Sequence, residues 1–183
     1  MLISTAMGAV YYTLFDTKLG RCGIAWGEDG INAVSFAEAD DNLTIKRLRR
    51  RAPDASKAPP PAEFEIVMNK IQALLSGDKI SFDEAALDMS GMTEFDTDVL
   101  ALTREIKAGD TKTYGDLARA LGDVSLSRRV GQALGRNPFP IIVPCHRVLS
   151  ADGMMTGFSA PGGVALKEKL LKIEGALAPT LFD

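Results

Sequence analysis

The chain has 183 residues, a formal net charge of −3 at pH 7 and 46% hydrophobic residues. That length suits one large domain or two small ones with a sizeable core. No apolar run reaches the roughly 20 residues that cross a bilayer, and no basic stretch precedes an apolar one at the N-terminus, so neither a membrane span nor a signal peptide is expected. The cysteines are Cys22 and Cys145 and the single histidine is His146, too few for a disulfide framework or a zinc finger. The expectation is a cytoplasmic protein without metal or cofactor. An acidic total argues against an unstructured polyanion binder but leaves room for a local basic face.

Residues 10–37 alternate as strands. "VYYTLFDT", "RCGIAWG" and "INAVSFA" are separated by "KLG" and "EDG", turn signals that suit an antiparallel meander. "NLTIKRLRRRAP" predicts a short basic helix ended by Pro53, and "DASKAPPPAE" a mobile, extended linker. In "FEIVMNKIQALLSG", Phe64, Val67, Ile71, Leu74 and Leu75 fall at helical spacing, with Gly77 just past the end. The character of the chain changes after this, placing a domain boundary near Gly91: residues 1–91 and 92–183.

The second part is mainly helical. Thr93 is a candidate N-cap for a helix with Phe95, Val99, Leu102 and Ile106 on one stripe. Thr113 and Asp116 have capping-box spacing, opening a helix that carries Leu117 and Leu121. Gly122-Asp123 interrupts it, and a second helix with Val130 and Leu134 inside stops before Pro138. This pattern fits a helix-turn-helix, but by itself it favours an ordinary helical hairpin. The second helix combines Arg128 and Arg129 with Gly131, Ala133 and Gly135. Small residues let backbone approach a minor groove, whereas major-groove reading needs long polar side chains. From Arg104 to Arg147 there are eight Lys and Arg against four Asp and Glu, a modest basic bias. A last helix, "GVALKEKLLKIEG", spaces Leu166, Leu170 and Ile173 along one side.

"IIVPCHRVLS" sets Cys145 beside His146. An unassisted thiol is only slightly ionised near neutrality, so a nucleophilic cysteine needs a base or a positive charge. Neighbours on an extended strand point to opposite faces, so His146 reaches the thiol only if the chain turns or a water bridges them. Without further context Cys145 is either a structural thiol or a nucleophile.

Residues 93–175 carry more: "TEF", "TYGDLA", "RRVGQALGRNP", "PCHRV", "DG", "GFS", "GG" and "LLKIEG" follow one another in the order seen in the O6-alkylguanine-DNA alkyltransferases. The chain resembles that family, also called methylated-DNA–protein-cysteine methyltransferases. The resemblance implies an α+β protein with an RNase H-like first domain and a helix-turn-helix second domain. It implies a monomer that binds double-stranded DNA through the minor groove, flips an O6-alkylguanine out, and takes its alkyl group irreversibly onto Cys145. O4-alkylthymine is a second substrate that the resemblance leaves open. By resemblance, His146 is the base acting through water, Glu174 orients it, Tyr114 contacts the flipped base and helps protonate guanine, and Asn137 is a hinge. Arg128 fills the space of the extruded nucleotide. Arg129, Thr113, Gln132, Ala133 and Arg136 join it on the DNA-binding face, and Tyr114, Val148, Phe158 and Ser159 form the base pocket.

Some positions depart from the family pattern. Leu100 stands where tryptophan is frequent, Lys107-Ala108 replace Pro-Tyr, Arg129 occupies a usually small position, and "GFSAPGG" carries two extra residues. Three other readings compete. A lesion-binding relative without repair activity would lack Cys145. A Cys-His acyl-transfer enzyme would need an oxyanion hole and no helix-turn-helix. A helix-turn-helix regulator fits poorly with the small-residue second helix.

Overall fold

The computed structural model describes residues 8–179. The expected meander forms β1 (Tyr11–Thr17), β2 (Gly20–Gly27) and β3 (Gly30–Ser35), paired antiparallel from Tyr11 opposite Trp26 to Thr17 opposite Gly20 and from Gly23 opposite Ser35 to Gly27 opposite Gly30. Helix α1 (Asp41–Leu48) is capped by Asp40, whose side chain accepts the Leu43 N–H. It ends well before Pro53: Arg49–Ala52 continue as turns whose N–H groups reach back to Ile45, Arg47 and Leu48, which lets Ala52 and Ala55 enter the core.

The linker expected over 54–63 contains a strand instead. β4 (Ser56–Lys57) pairs parallel with β1, and the N–H groups of Ser56 and Ala58 donate to Val10 and Tyr12 at 3.0 Å. Buried Ala55 and these ladder bonds pin a segment too short to show an alternating pattern. The sheet order is β3-β2-β1-β4. Pro61 then precedes α2 (Ala62–Leu75), a position where a missing N–H costs the helix nothing. α2 buries the expected Phe64, Val67, Ile71, Leu74 and Leu75, with Phe64 against Trp26 on the sheet.

In the second part, Thr93 caps α3 (Glu94–Arg104), which buries Val99, Leu100 and Thr103. Phe95 and Leu102, expected inside, are only partly covered, and Leu100 takes the inner place. β5 (Lys112–Thr113) pairs parallel with β6 (Val148–Leu149). α4 (Tyr114–Ala120) begins with the capping box of Thr113 and Asp116, and α5 (Ser127–Gly135) packs against it. α6 (Gly163–Ile173) closes the described chain. Among the described residues no helix is long and apolar enough to cross a membrane.

One apolar cluster joins the two parts, running from Ile24, Phe36 and Ile71 through Val99 and Leu134 to Phe139 and Leu170. The Val34 N–H also donates to the Pro138 carbonyl at 2.9 Å, tying β3 to the chain that leads to Cys145. The architecture is α+β.

The β2–β3 turn needs glycine. Gly30 has φ of +121°, and a Cβ there would stand 2.6 Å from the Ala86 carbonyl oxygen, the acceptor of the Ile31 N–H. Gly30→Ala is therefore expected to lower unfolding free energy by about 2 kcal/mol, read from urea denaturation. An unchanged midpoint would show that the 85–88 segment moves aside freely.

Candidate active site

The segment 137–147 is held by its own backbone. Asn137 donates from Nδ2 to the Val143 carbonyl and accepts from the Phe139 N–H, both at 2.9 Å. The Val143 N–H returns to the Phe139 carbonyl at 2.8 Å. This folding back forces Ile141 to φ of +78°, an uncommon conformation for a β-branched residue, kept by its complete burial. The chain then turns through a 3-10 helix at Cys145–Arg147. Cys145 and His146 therefore do not lie on an extended strand, and their side chains are not forced to opposite faces.

His146 and Arg147 are both buried, and both end on Glu174, the residue that caps the C-terminus of α6. His146 Nε2 lies 2.8 Å from Glu174 Oε1, while Arg147 donates from Nε to Oε2 and from Nη2 to Oε1 at 2.9 Å. Arg147 also donates to the Ile106 carbonyl. A carboxylate only accepts, so Nε2 carries the imidazole proton. Nδ1 is left as a lone-pair acceptor, and it has no partner among the described residues.

Charges follow from these contacts. Burial pushes the Glu174 carboxyl up, but the hydrogen bonds from His146 and Arg147 and the Arg147 charge outweigh it and hold the group at about 2. Burial pushes His146 down, against the pull of Glu174, with Arg147 and Lys167 adding to the fall. The imidazole is thus neutral at pH 7 and free to accept a proton. Burial pushes the Cys145 thiol up, opposed by the Asn137 side chain, the Lys167 ammonium and nearby backbone amides.

Lys167 is a site residue that the sequence pattern hid. It is fully buried on α6, donates to the Val148 carbonyl at 2.6 Å, and stands 5.8 Å from the Tyr114 ring centre. Burial lowers its pKa, and Cys145 raises it. Its signal was available: Lys167, Leu170, Leu171 and Glu174 have the i, i+3, i+4, i+7 spacing of an inward face and are all buried. The expected stripe placed Leu166 and Ile173 there, and both are only partly covered. Tyr114 donates its hydroxyl to the Thr156 carbonyl at 3.3 Å, and burial raises its pKa, so it remains a donor at neutral pH.

A cleft of about 830 Å³ opens beside α5, bordered by Tyr114, Arg128, Gln132, Cys145, Phe158 and Ser159. Arg128 and Gln132 are exposed. Ser159 donates to the Gly135 carbonyl at 3.1 Å, linking the segment that carries Phe158 and Ser159 to α5. Other expected residues are placed differently. Ala133, expected on the DNA-binding face, is completely buried with Val130 and Leu134, so its side chain faces the core. Arg129 lies over the Phe95 ring at 3.8 Å from its centre. Arg136 forms a two-pronged pair with Asp96 at 2.7 and 3.0 Å. Thr113 is committed to its capping box, and Val148 is buried with its carbonyl bound to Lys167.

Known proteins similar to this chain place it in a family. Residues 94–176 match the 6-O-methylguanine DNA methyltransferase DNA-binding domain. A methylated-DNA–protein-cysteine methyltransferase of Methanosarcina acetivorans is 36% identical over 167 residues, covering 91% of this chain and 99% of the relative. Its counterpart in Methanosarcina mazei is 43% identical over 165 residues, covering 90% and 97%. The crystal structure of Mycobacterium tuberculosis O6-methylguanine methyltransferase superposes with a TM-score of 0.74 at 31% identity, covering 95% of this chain and 99% of that one. A structure of the mycobacterial protein in complex with DNA gives 0.71 at 30% identity, covering 90% and 92%. A buried His-Glu pair behind a thiol, on this fold and at these identities, defines an alkyl-accepting protein class. The chain belongs to the methylated-DNA–protein-cysteine methyltransferase family.

Removing Glu174 would leave two buried cationic or polar partners without an acceptor. Glu174→Ala is expected to cost about 3–5 kcal/mol of stability in denaturant titration. The contribution has a definite pH sign. With a folded value of about 2 against roughly 4.3 unfolded, it is complete above the unfolded value and is lost as pH falls through the folded one. The wild type should thus lose more stability than Glu174→Ala over that acid range; parallel curves would contradict it.

Proposed function

We infer that this chain repairs alkylated DNA by direct reversal, moving the alkyl group from O6 of guanine to Sγ of Cys145. The observation that carries this reading is the thiol on the α5 cleft, next to a neutral, buried His146 held by Glu174 with Nδ1 unengaged. His146 Nδ1 takes the Cys145 proton through a bridging water. The thiolate, favoured by the Lys167 charge, attacks the alkyl carbon, and the carbon–O6 bond breaks. The departing guanine gains a proton with help from Tyr114. A thioether is a poor leaving group and no second thiol is nearby, since Cys22 is buried in β2. Each molecule acts once. Alkylated thymine is a second substrate the same displacement would take.

The base must leave the duplex to meet the thiol, at a cost of a few kcal/mol. α4 and α5 would serve as a helix-turn-helix that docks in the minor groove. Gly135 supports close backbone approach, since a Cβ there would meet nothing within 4 Å. Exposed Arg128 and Gln132 face the cleft mouth, and Arg128 would occupy the gap left by the flipped nucleotide. Asn137 would tie α5 to the Cys145 turn, with Phe158, Ser159 and the Val148 backbone around the base. Residues 1–91 would form an RNase H-like domain and 92–183 the DNA-binding, alkyl-accepting domain of a cytoplasmic monomer.

Incubation with a duplex containing O6-methylguanine should add one methyl per protein molecule, confined in digests to the peptide carrying Cys145. Cys145→Ala should abolish transfer and still bind the damaged duplex. Turnover with substoichiometric protein, or methyl on another residue, would overturn the reading.

A further inference from the structure

α5 presents two stripes of side chains. Arg128, Gln132 and Gly135 border the α5 cleft. Arg129 and Arg136 fall on a second stripe, because residues seven apart return to nearly the same side of a helix and one residue on is a turn of about 100°. That stripe meets α3, against which α5 packs. Arg129, in the first turn of α5, covers the Phe95 ring, and Arg136, the residue just past the end of α5, grips Asp96. The two contacts join opposite ends of α5 to consecutive residues in the first turn of α3.

Neither arginine is an ordinary solvated cation. The Asp96 side chain is 9% exposed and places both oxygens on one guanidinium, the two-pronged geometry in which an ion pair is strongest. The Arg129 guanidinium stands 3.8 Å from the Phe95 ring centre, inside the roughly 6 Å over which a ring face attracts a cation. Arginine is the residue type that grips phosphate, yet both of these charges are already engaged by α3. The anchors lie about 10 Å apart along the helix axis. At that separation they fix the tilt of α5 as well as its rotation, which a single contact would leave free.

Arg136 is followed directly by Asn137, whose side chain holds the Phe139 and Val143 backbone on the way to Cys145. The second anchor thus sits at the joint between α5 and the segment that carries the thiol. We propose that Arg129 and Arg136 are positioning residues: they set the angle of α5 against Sγ, so that a base flipped out beside α5 arrives in line for displacement, and neither binds phosphate. This rests on the repair reading above. Displacement depends steeply on distance and angle at the reacting carbon. A helix free to pivot on its docked duplex would therefore slow transfer more than it weakens binding. A free base reaches the thiol without α5 being docked and is indifferent to the pivot.

The test compares single-turnover transfer from a saturating duplex containing O6-methylguanine, transfer from free O6-methylguanine base, and duplex affinity across a salt series, with each variant's folded fraction fixed by urea denaturation. Arg129→Leu and Arg136→Gln should each slow duplex transfer about 3-fold, the scale of one cation–π contact or one partly exposed ion pair. The free-base rate and the slope of log affinity against log salt should stay at their wild-type values. Arg136→Lys should restore part of the duplex rate. Asp96→Asn should match Arg136→Gln, and the two together should be no slower than either alone. A salt slope lowered by about 1 in either arginine variant would overturn the proposal, assigning that residue to a phosphate. Equal slowing of duplex and free base would overturn it as damage to the thiol site, and unchanged duplex rates would overturn it as well. These three outcomes leave the repair reading intact; absence of methyl transfer in wild type would overturn both.

Discussion

The buried carboxylate of Glu174 is the constraint on which the site depends. Burying a charge is expensive unless its lone pairs are used, and here three hydrogen bonds from two consecutive residues use them. Because His146 and Arg147 are adjacent, their shared acceptor fixes the direction of the turn that carries Cys145. Arg147 extends the anchor to the Ile106 carbonyl past the end of α3, so the turn is held from both sides. The same helix α6 delivers Lys167 to the Val148 carbonyl, one residue beyond Arg147. One helix therefore supplies both the carboxylate paired with His146 and the buried ammonium held at the Val148 carbonyl.

The first part of the chain shapes the site by bracing the segments on either side of Cys145. β3 donates to Pro138, Phe36 packs against Phe158, and Arg47 reaches the Ser159 carbonyl at 3.3 Å. These three contacts brace the loop before the nucleophile and the longer "GFSAPGG" loop after it. The sheet is thereby linked to the reactive centre through packing and hydrogen bonds. Ile141, strained and fully buried, shows how closely the connecting loop is determined.

Legibility in the sequence followed the range of the interactions. The meander, α2 and the Thr113–Asp116 capping box were readable because turn residues, periodicity and caps act over a few positions. Cys145, His146 and Glu174 stood out through ordered motifs. Their meeting did not: it depends on α6 packing back over 27 and 28 residues of chain. β4 was hidden because a two-residue strand shows no alternation, and its partner β1 lies far away in sequence. Lys167 was hidden because a lysine on a helix normally belongs to its solvated face, and only the inward spacing of its neighbours says otherwise. Arg129 illustrates the same limit: its cation–π contact with Phe95 joins α5 to α3, a tertiary pairing that residue type alone does not announce.

The central claim is that Glu174 and His146 act as one unit on the thiol. A double-mutant cycle with His146→Ala and Glu174→Gln tests it most directly, read as single-turnover methyl transfer rates at saturating protein, with folding checked for each variant. The account predicts that each single change slows transfer and that the double variant is little slower than His146→Ala alone. Losses that multiply fully in the double variant would contradict it, showing that Glu174 supports the fold of the turn without orienting the base.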